Sequence, residues 1–420
     1  MLRRSFANDS TRRRSRYANK TRRGLFPPHR REGSPRLRDK GLQTTTHVTI
    51  NGRVEIRRRV YWAKGRPSVV PVDEWLGIST ERYSPGVREM CCREASGEDF
   101  RKVAEDLKRV GQIEMTHETA RQIVEREGYQ ALKAQQAGIL GPDWTAADCW
   151  KVPGGPTTVI TGADGVKVPL VTQAEKAKRR ALRRKAGPKA RRRRKRMRKG
   201  SDQAYKEFKI LAYYDPGNKH QYAVGTSGDH NALGRLMRRE GAKVGLDRAD
   251  VRYSVSDGAP WIVGQYRRRL PMLEANVLDY YHLREHVIAT SHVCWGEGTA
   301  QAKQWQEGMM EVALEEGPVR LVEELGDVRR AARSPIRRRS IEGLQNYVAE
   351  RMEMLDYPRF RAKGYDIGSG PTEAFCKTLT ARLKGPGMRW DKGNAEGMMA
   401  LASVYSSGLW ETYWQIRRTG

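Results

Sequence analysis

Three acidic residues sit where their type and spacing suit metal-assisted chemistry. Asp164 lies in Ala163-Asp164-Gly165, at the end of the apolar run 157–160, and Asp257 lies in Ser256-Asp257-Gly258, closing the run 251–255. Glu373 follows Gly368-Ser369-Gly370-Pro371, where a proline suits the first turn of a helix. Carboxylate oxygens are the ligands that hard divalent cations such as Mg²⁺ prefer. Two such ions ~3.5–4 Å apart activate an attacking oxygen and stabilise a leaving one in phosphodiester displacement. Each residue taken singly also has an ordinary structural explanation. Asp-Gly is a common turn dipeptide, and a glutamate at a helix start complements the helix dipole.

The elements that would position these groups follow from hydrophobic period and turn chemistry. A hairpin is expected from 47–50 and 53–56 around Asn51-Gly52. A helix is expected over 86–94. A second opens at the capping-box-like Ser96-Gly97-Glu98-Asp99 and runs to Val110, with Phe100, Val103, Ala104 and Leu107 at helical spacing. Gly111 breaks it, and a short helix over 116–127 completes a helix-turn-helix-like arrangement, which any small three-helix bundle would share. From 156 the pattern turns to strands: 157–160, 166–168, and a second hairpin of 208–214 and 220–224 around Asp215-Pro216-Gly217-Asn218. Helix and strand then alternate through 276–280, and helices follow to about 355. Strands first, then alternation, then helices read as a mixed α/β domain with a large helical insertion.

Charge is concentrated in two places. The formal net charge is +31, but residues 1–40 carry 14 Lys/Arg against 3 Asp/Glu and residues 171–200 carry 16 against 1, leaving +5 for the rest. Such segments bind polyanions through counterion release. Arg191, Arg192, Arg193 and Arg194 form the densest part. No run of eighteen apolar residues spans a membrane. The five cysteines form no CxxC pair, which suits idle thiols in a reducing compartment. The Arg- and Ser-rich first forty residues superficially suit a transit peptide, but a disordered DNA-contacting arm is the plainer reading.

The order Asp164-Gly165, Ser256-Asp257-Gly258-Ala259-Pro260-Trp261-Ile262, Leu278-Asp279-Tyr280-Tyr281-His282 and Gly368-Ser369-Gly370-Pro371-Thr372-Glu373-Ala374-Phe375-Cys376-Lys377 resembles prokaryotic insertion-sequence transposases of the Mutator-like superfamily. Arg382-Leu383-Lys384 through Gly387-Met388-Arg389-Trp390 resembles that family's closing stretch. The resemblance runs from about residue 66 to 414. It implies an RNase H-like mixed sheet with a helical insertion between the second Asp and the Glu. Asp164, Asp257 and Glu373 would be the catalytic metal ligands, with Asp279 and His282 matching the family's Cys/Asp-x-x-His element as supporting residues. A satisfied histidine at a strand–helix junction is the other reading of His282, and Asp215, followed by Pro216-Gly217, competes with Asp164. The implied cofactor is two Mg²⁺ ions, with Mn²⁺ able to substitute. The cysteine pair that many relatives carry near Tyr61-Trp62 is missing, so no zinc is expected.

On this reading residues 1–45 are a disordered basic arm and 46–150 an N-terminal DNA-binding domain. Residues 156–290 and 356–420 form the catalytic domain, 171–204 a basic insertion and 291–355 a helical insertion. Glu373, Lys377, Thr380 and Lys384 fall on one helical face and Phe375, Leu379 and Leu383 on another, which sets Lys377 and Lys384, with Arg389, to contact DNA; a solvated face explains the lysines as well. The expected partners are double-stranded DNA (terminal inverted repeats and target) and a second copy of the chain, on the nucleoid of a prokaryotic cytoplasm and not in a membrane. Two other readings stand beside it. One is a catalytically silent, transposase-derived DNA-binding protein. The other is a zinc metalloprotease of the H-x-x-E-H kind, carried by His282-Leu283-Arg284-Glu285-His286 with Glu311, Glu315 or Glu316 as third ligand.

Overall fold

A computed structural model of the chain describes residues 37–75, 78, 82–185, 201–385 and 388–419. They group into two units, Met1–Gln130 with Trp410–Gly420, and Ala131–Leu409. Elements are numbered here in chain order.

The first unit begins with a two-stranded antiparallel hairpin, β1 (Arg38–Thr49) and β2 (Gly52–Trp62). Residues 38–45 thus belong to a strand, not to the arm assigned above. Val48 pairs with Arg53 and Thr49 with Gly52, so Ile50-Asn51, not Asn51-Gly52, occupies the loop. Gly52 takes φ +108°, a value that favours glycine. After a short helix, α1 (Pro71–Trp75), three helices follow: α2 (Pro85–Ala95), α3 (Phe100–Arg109) and α4 (His117–Gln136). Asp99 caps α3 by accepting from the Arg101 and Lys102 amides, in place of the capping box expected from Ser96. α4 extends well past the expected end at 127, and its last turn, from Ala131, belongs to the second unit.

The C-terminal helix, α15 (Trp410–Thr419), also belongs to the first unit, whereas the sequence assigned it to the catalytic domain. A buried ion network explains the attachment. Glu127 is fully buried, with Arg88 Nη1 2.5 Å from one carboxylate oxygen and Arg417 Nε 2.9 Å from the other. The Tyr413 hydroxyl donates to the Glu127 carbonyl at 3.0 Å. Val87, Cys91, Val103, Leu107, Ile123 and Trp414 pack as the apolar core of this unit.

In the second unit a five-stranded mixed sheet has the order β5-β4-β3-β6-β7, built from β3 (Thr158–Val168), β4 (Lys206–Tyr214), β5 (Gln221–Thr226), β6 (Val251–Ser256) and β7 (Ala275–Leu278). β3 pairs antiparallel with β4 and parallel with β6. Near-continuous burial along β4 fits a sheet covered on both faces. One face carries Gly162, Ala212, Ala223 and Gly225 in register, small residues that admit the helices α13 (Gly370–Lys384) and α14 (Lys392–Ser406). On the opposite face Tyr213 and Tyr222 hydrogen-bond to Met237 O and Glu240 of α6 (His230–Lys243), which packs against α7 (Pro260–Arg269).

Two sequence boundaries shift. The basic segment after β3 contains a helix, α5 (Gln173–Lys185); Arg191, Arg192, Arg193 and Arg194 lie outside the described residues. The helices between β7 and α13 are α8 (Tyr280–Trp295), α9 (Ala300–Glu315), α10 (Pro318–Ala331), α11 (Pro335–Ala349) and α12 (Tyr357–Ala362). The strand before them ends at Leu278 rather than Tyr280, because Asp279 caps α8; α8 therefore falls partly in 156–290, ahead of the insertion bound of 291. Among the described residues no helix is long and apolar enough to cross a membrane.

Glu127 supplies a stability test. Burial raises its carboxyl pKa, yet hydrogen bonding to Arg417 and the charge of Arg88 outweigh burial and leave it below the usual carboxylate value. A carboxyl depressed in the folded state adds stability above its unfolded pKa and loses it as pH falls through the folded pKa. Glu127→Ala, which strands buried cations, is expected to cost about 3–5 kcal/mol at neutral pH in urea unfolding, with the deficit shrinking under acid. A neutral-pH cost below ~1 kcal/mol would show that the network does not secure α15.

Candidate active site

The site is built where β3 runs on past the end of its parallel neighbour β6. Gly162 of β3 pairs with Val255 of β6, and Asp164 and Asp257 stand two residues beyond each partner. Asp164 is thus not at a strand end, as the sequence suggested. β3 runs unbroken through Ala163-Asp164-Gly165, with Asp164 opposite Ile210. Asp257 follows β6, and its carboxylate accepts the Ala259 amide at 2.9 Å. Gly258 adopts φ +71°, and a Cβ there would lie 2.6 Å from Leu278 Cδ1, so the turn requires glycine. Asp215, the competitor for Asp164, closes the β4–β5 turn, accepting the His220 amide at 2.8 Å.

Glu373 arrives on the first turn of α13. The segment leading to it is fixed to the ends of β6 and β7. Tyr365 stacks on Tyr253 at 4.1 Å between centroids, the Asp366 amide donates to the Tyr253 hydroxyl at 2.8 Å, and the Tyr280 amide donates to Ile367 O at 2.9 Å. Asp279, 3% exposed, accepts from the His282 amide through one carboxylate oxygen and from the Ser369 amide through the other. It therefore caps α8 and holds the residue that precedes α13. α13 itself lies close on β3. A Cβ on Gly162 would stand 1.8 Å from Thr372 Oγ1 and 2.9 Å from Thr372 Cβ.

These elements bring Asp164, Asp257, Asp279, His282 and Glu373 to the wall of one cavity of about 190 Å³, together with Tyr281 and Glu285. Burial pushes the Asp164 carboxyl above its ordinary pKa. The Gly165 amide and the Cys376 thiol pull it back, while the charges of Asp257 and Glu373 add to the rise. Cys376 Sγ donates to Asp164 Oδ2 at 3.4 Å. Burial first, and the Asp164 charge second, hold that thiol protonated. All five cysteines are free and buried.

Among the described residues, no three His, Cys, Asp or Glu side chains are gathered closely enough to hold a metal ion as they stand. The donor set nevertheless suits a hard divalent cation: carboxylate oxygens from three separate elements, whose mutual repulsion a cation would relieve.

His282 is one-third exposed, with Nδ1 3.7 Å from Glu285. His286 stacks on Tyr347 at 4.0 Å, and Arg351 covers Tyr347 at 4.1 Å. Burial, followed by the charges of His282 and Arg351, lowers the His286 pKa. Two of the glutamates the protease reading needs are engaged elsewhere, Glu315 with Arg361 and Glu316 with Arg320. Lys377 and Lys384 are exposed on α13, and Lys377 lies 3.5 Å from Glu373. Arg389 is half-buried. Thr380, expected on the same face as the lysines, is instead fully buried and donates to Cys376 O. The sequence reading missed the Gly162–Thr372 approach, Cys376 and Tyr281. A glycine inside an apolar strand was the one available signal for the first.

A family model described as an uncharacterised protein family (UPF0236) matches residues 29–139. No curated protein matches. Among solved structures, the chain is similar to the Drosophila P element transposase strand transfer complex, at 11% identity and a TM-score of 0.35, over 79% of this chain and 94% of that one. A likeness of that degree leaves the detail of the fold and the chemistry to the residues themselves.

Three substitutions test the geometry. Gly162→Ala is expected to destabilise the protein by about 1–3 kcal/mol through overpacking against α13. Thr372→Ala added to it should recover part of that loss, read as a coupling energy in urea unfolding. Strict additivity of the two would contradict the close approach. Asp164→Asn should stabilise the metal-free protein at neutral pH. A carboxyl whose folded pKa is raised loses stability as pH climbs through it, so the gain should vanish in acid; a pH-independent change in thermal midpoint would exclude burial and like charge at Asp164 as its source.

Proposed function

We propose that the chain is a DNA transposase of the RNase H-like, three-carboxylate class, related to the Mutator-like superfamily. The convergence of Asp164, Asp257 and Glu373 on one cavity, with Asp279 and His282 beside them, carries this reading. The mixed sheet, with two of these residues on adjoining central strands, supports it. So does the helical segment lying between Asp257 and Glu373.

Asp164, Asp257 and Glu373 would hold two Mg²⁺ ions, which when bound activate an attacking oxygen and stabilise the leaving one. Asp279 orients Glu373 through the Ser369 amide, and His282 positions the scissile phosphate. Lys377 and Lys384, about one and about three helical turns beyond Glu373, meet neighbouring phosphates, with Arg389 close behind in sequence. The hairpin, the helices α2–α4 and the basic segments, Arg191 to Arg194 among them, grip the element's ends through phosphate contacts. Water attacks a phosphodiester at each end, the bond to the 3′-oxygen breaks, and the freed 3′-hydroxyl displaces a 3′-oxygen in target DNA by in-line attack. No covalent enzyme intermediate is needed. Joining two ends calls for at least a dimer on DNA, in a prokaryotic nucleoid.

The test uses a duplex containing the DNA that flanks the gene, with Mg²⁺ or Mn²⁺. Asp257→Ala and Glu373→Ala are each expected to retain binding within about threefold and to lose cleavage and joining by at least ~100-fold, the scale of removing one strong transition-state contact. Normal cleavage by either variant removes that residue from the site. Binding by the parent protein with no cleavage under either metal selects the silent DNA-binding alternative.

A further inference from the structure

The loop that delivers Glu373 has two sides. Ser369, Thr372 and Glu373 line the carboxylate cavity, whereas Gly368, Gly370 and Pro371 line a larger one of about 590 Å³. Tyr281 is common to both. Its side chain is large and apolar yet 60% exposed, on the first turn of α8 immediately before His282. Gly368 lies beside its ring, where an added Cβ would come within 3.6 Å, and Tyr280 meets it edge-on at 5.4 Å between centroids.

The larger cavity combines ring faces with hydrogen-bonding edges. Tyr280 and Tyr281 supply the rings, and Asn218, Arg361 and Asp366 the polar groups. Arg361 is already oriented by Glu315 Oε1 at 2.6 Å. A volume of this size admits one flat heteroaromatic ring with its sugar and not a duplex. Aromatic faces beside a phosphate-handling site are where unstacked bases bind, because every base has a π-face.

We propose that this cavity receives one unpaired nucleobase of the DNA strand whose phosphate enters the carboxylate cavity, stacked on Tyr281. The inference rests on the DNA-cleaving reading of the neighbouring cavity. Tyr281 touches the base and no reacting atom. The strand must therefore splay next to the phosphate, and the cost of unpairing is offset by the stack.

The full-length chain is titrated, by fluorescence anisotropy in EDTA, with two labelled probes of the same flanking sequence: a fully paired duplex, and a forked duplex with unpaired nucleotides at one end. The parent protein is expected to prefer the fork. Tyr281→Ala should weaken fork binding about 5- to 150-fold, the equivalent of one base–aromatic stack at tenfold per ~1.4 kcal/mol, while leaving the paired duplex within twofold. Tyr281→Phe should keep the preference. In a fork carrying 2-aminopurine at each unpaired position in turn, one position should change emission with the parent and not with Tyr281→Ala. DNA binding without a fork preference, or a preference that survives Tyr281→Ala, overturns this inference alone. No binding to either probe by the parent overturns the transposase reading and this inference with it.

Discussion

The carboxylate of Asp279 ties together two helix starts that lie 90 residues apart in the chain. It accepts the His282 amide at the opening of α8 and the Ser369 amide ahead of α13. The first four amides of any helix lack intrahelical partners, so a buried helix start needs an acceptor. Here one side chain serves two. His282 is fixed relative to Glu373 through this link, and both are fixed relative to β6, because the Asp279 amide in turn donates to Ser256 O at 2.8 Å. Removing this acceptor would leave buried amides unpaired at both helices, at about 1–3 kcal/mol each. It would also release the segment that carries Glu373 in from outside the sheet.

Against that link works a repulsion. Asp164, Asp257 and Glu373 face one small cavity, and the rise in the Asp164 pKa records both its burial and its like-charged neighbours. Close approach of α13 to β3 is what makes the neighbours close, and that approach exists because residue 162 has no side chain. Gly162 and Gly225 leave room on one face of the sheet for Thr372 and Met399, so α13 and α14 settle deep onto β3 and β5. The Cys376 thiol, forced to stay protonated, supplies Asp164 with a donor that has no charge of its own to satisfy. Glycine at a strand centre and clustered carboxylates both lower stability, and they coincide at the same few residues.

Local chemistry made part of this legible in the sequence. Asp257 was read correctly at the end of its strand because Gly258 must turn, and Pro371 marked the helix start that carries Glu373. The turn at Asp215 followed from Pro216-Gly217. Asp164 was misplaced within its strand, since Asp-Gly carries turn propensity that continued pairing with β4 overrides. Thr380 was set on the lysine face by its spacing from Glu373, although its hydroxyl is satisfied within its own helix by Cys376 O and it can therefore be buried. The attachment of α15 was invisible for a different reason. It depends on Arg417 reaching Glu127 across 290 residues, and no local pattern encodes a charge network of that span.

The two cavities follow from how the chain enters α13. Residues 365–369 are pinned by ring stacking and backbone hydrogen bonds, and the next residues alternate between the sides of the loop. A glycine at 368 keeps the backbone thin against Tyr281, so the wall between the cavities is one chain wide. A ligand seated in the larger cavity would therefore lie against the segment that leads to Glu373. Because Asp279 holds Ser369 from one side while Thr372 is wedged against Gly162 from the other, this segment has little freedom to yield. On the proposed reading, occupancy of one cavity and geometry in the other would be coupled by rigid contact, because the loop 368–373 lines both.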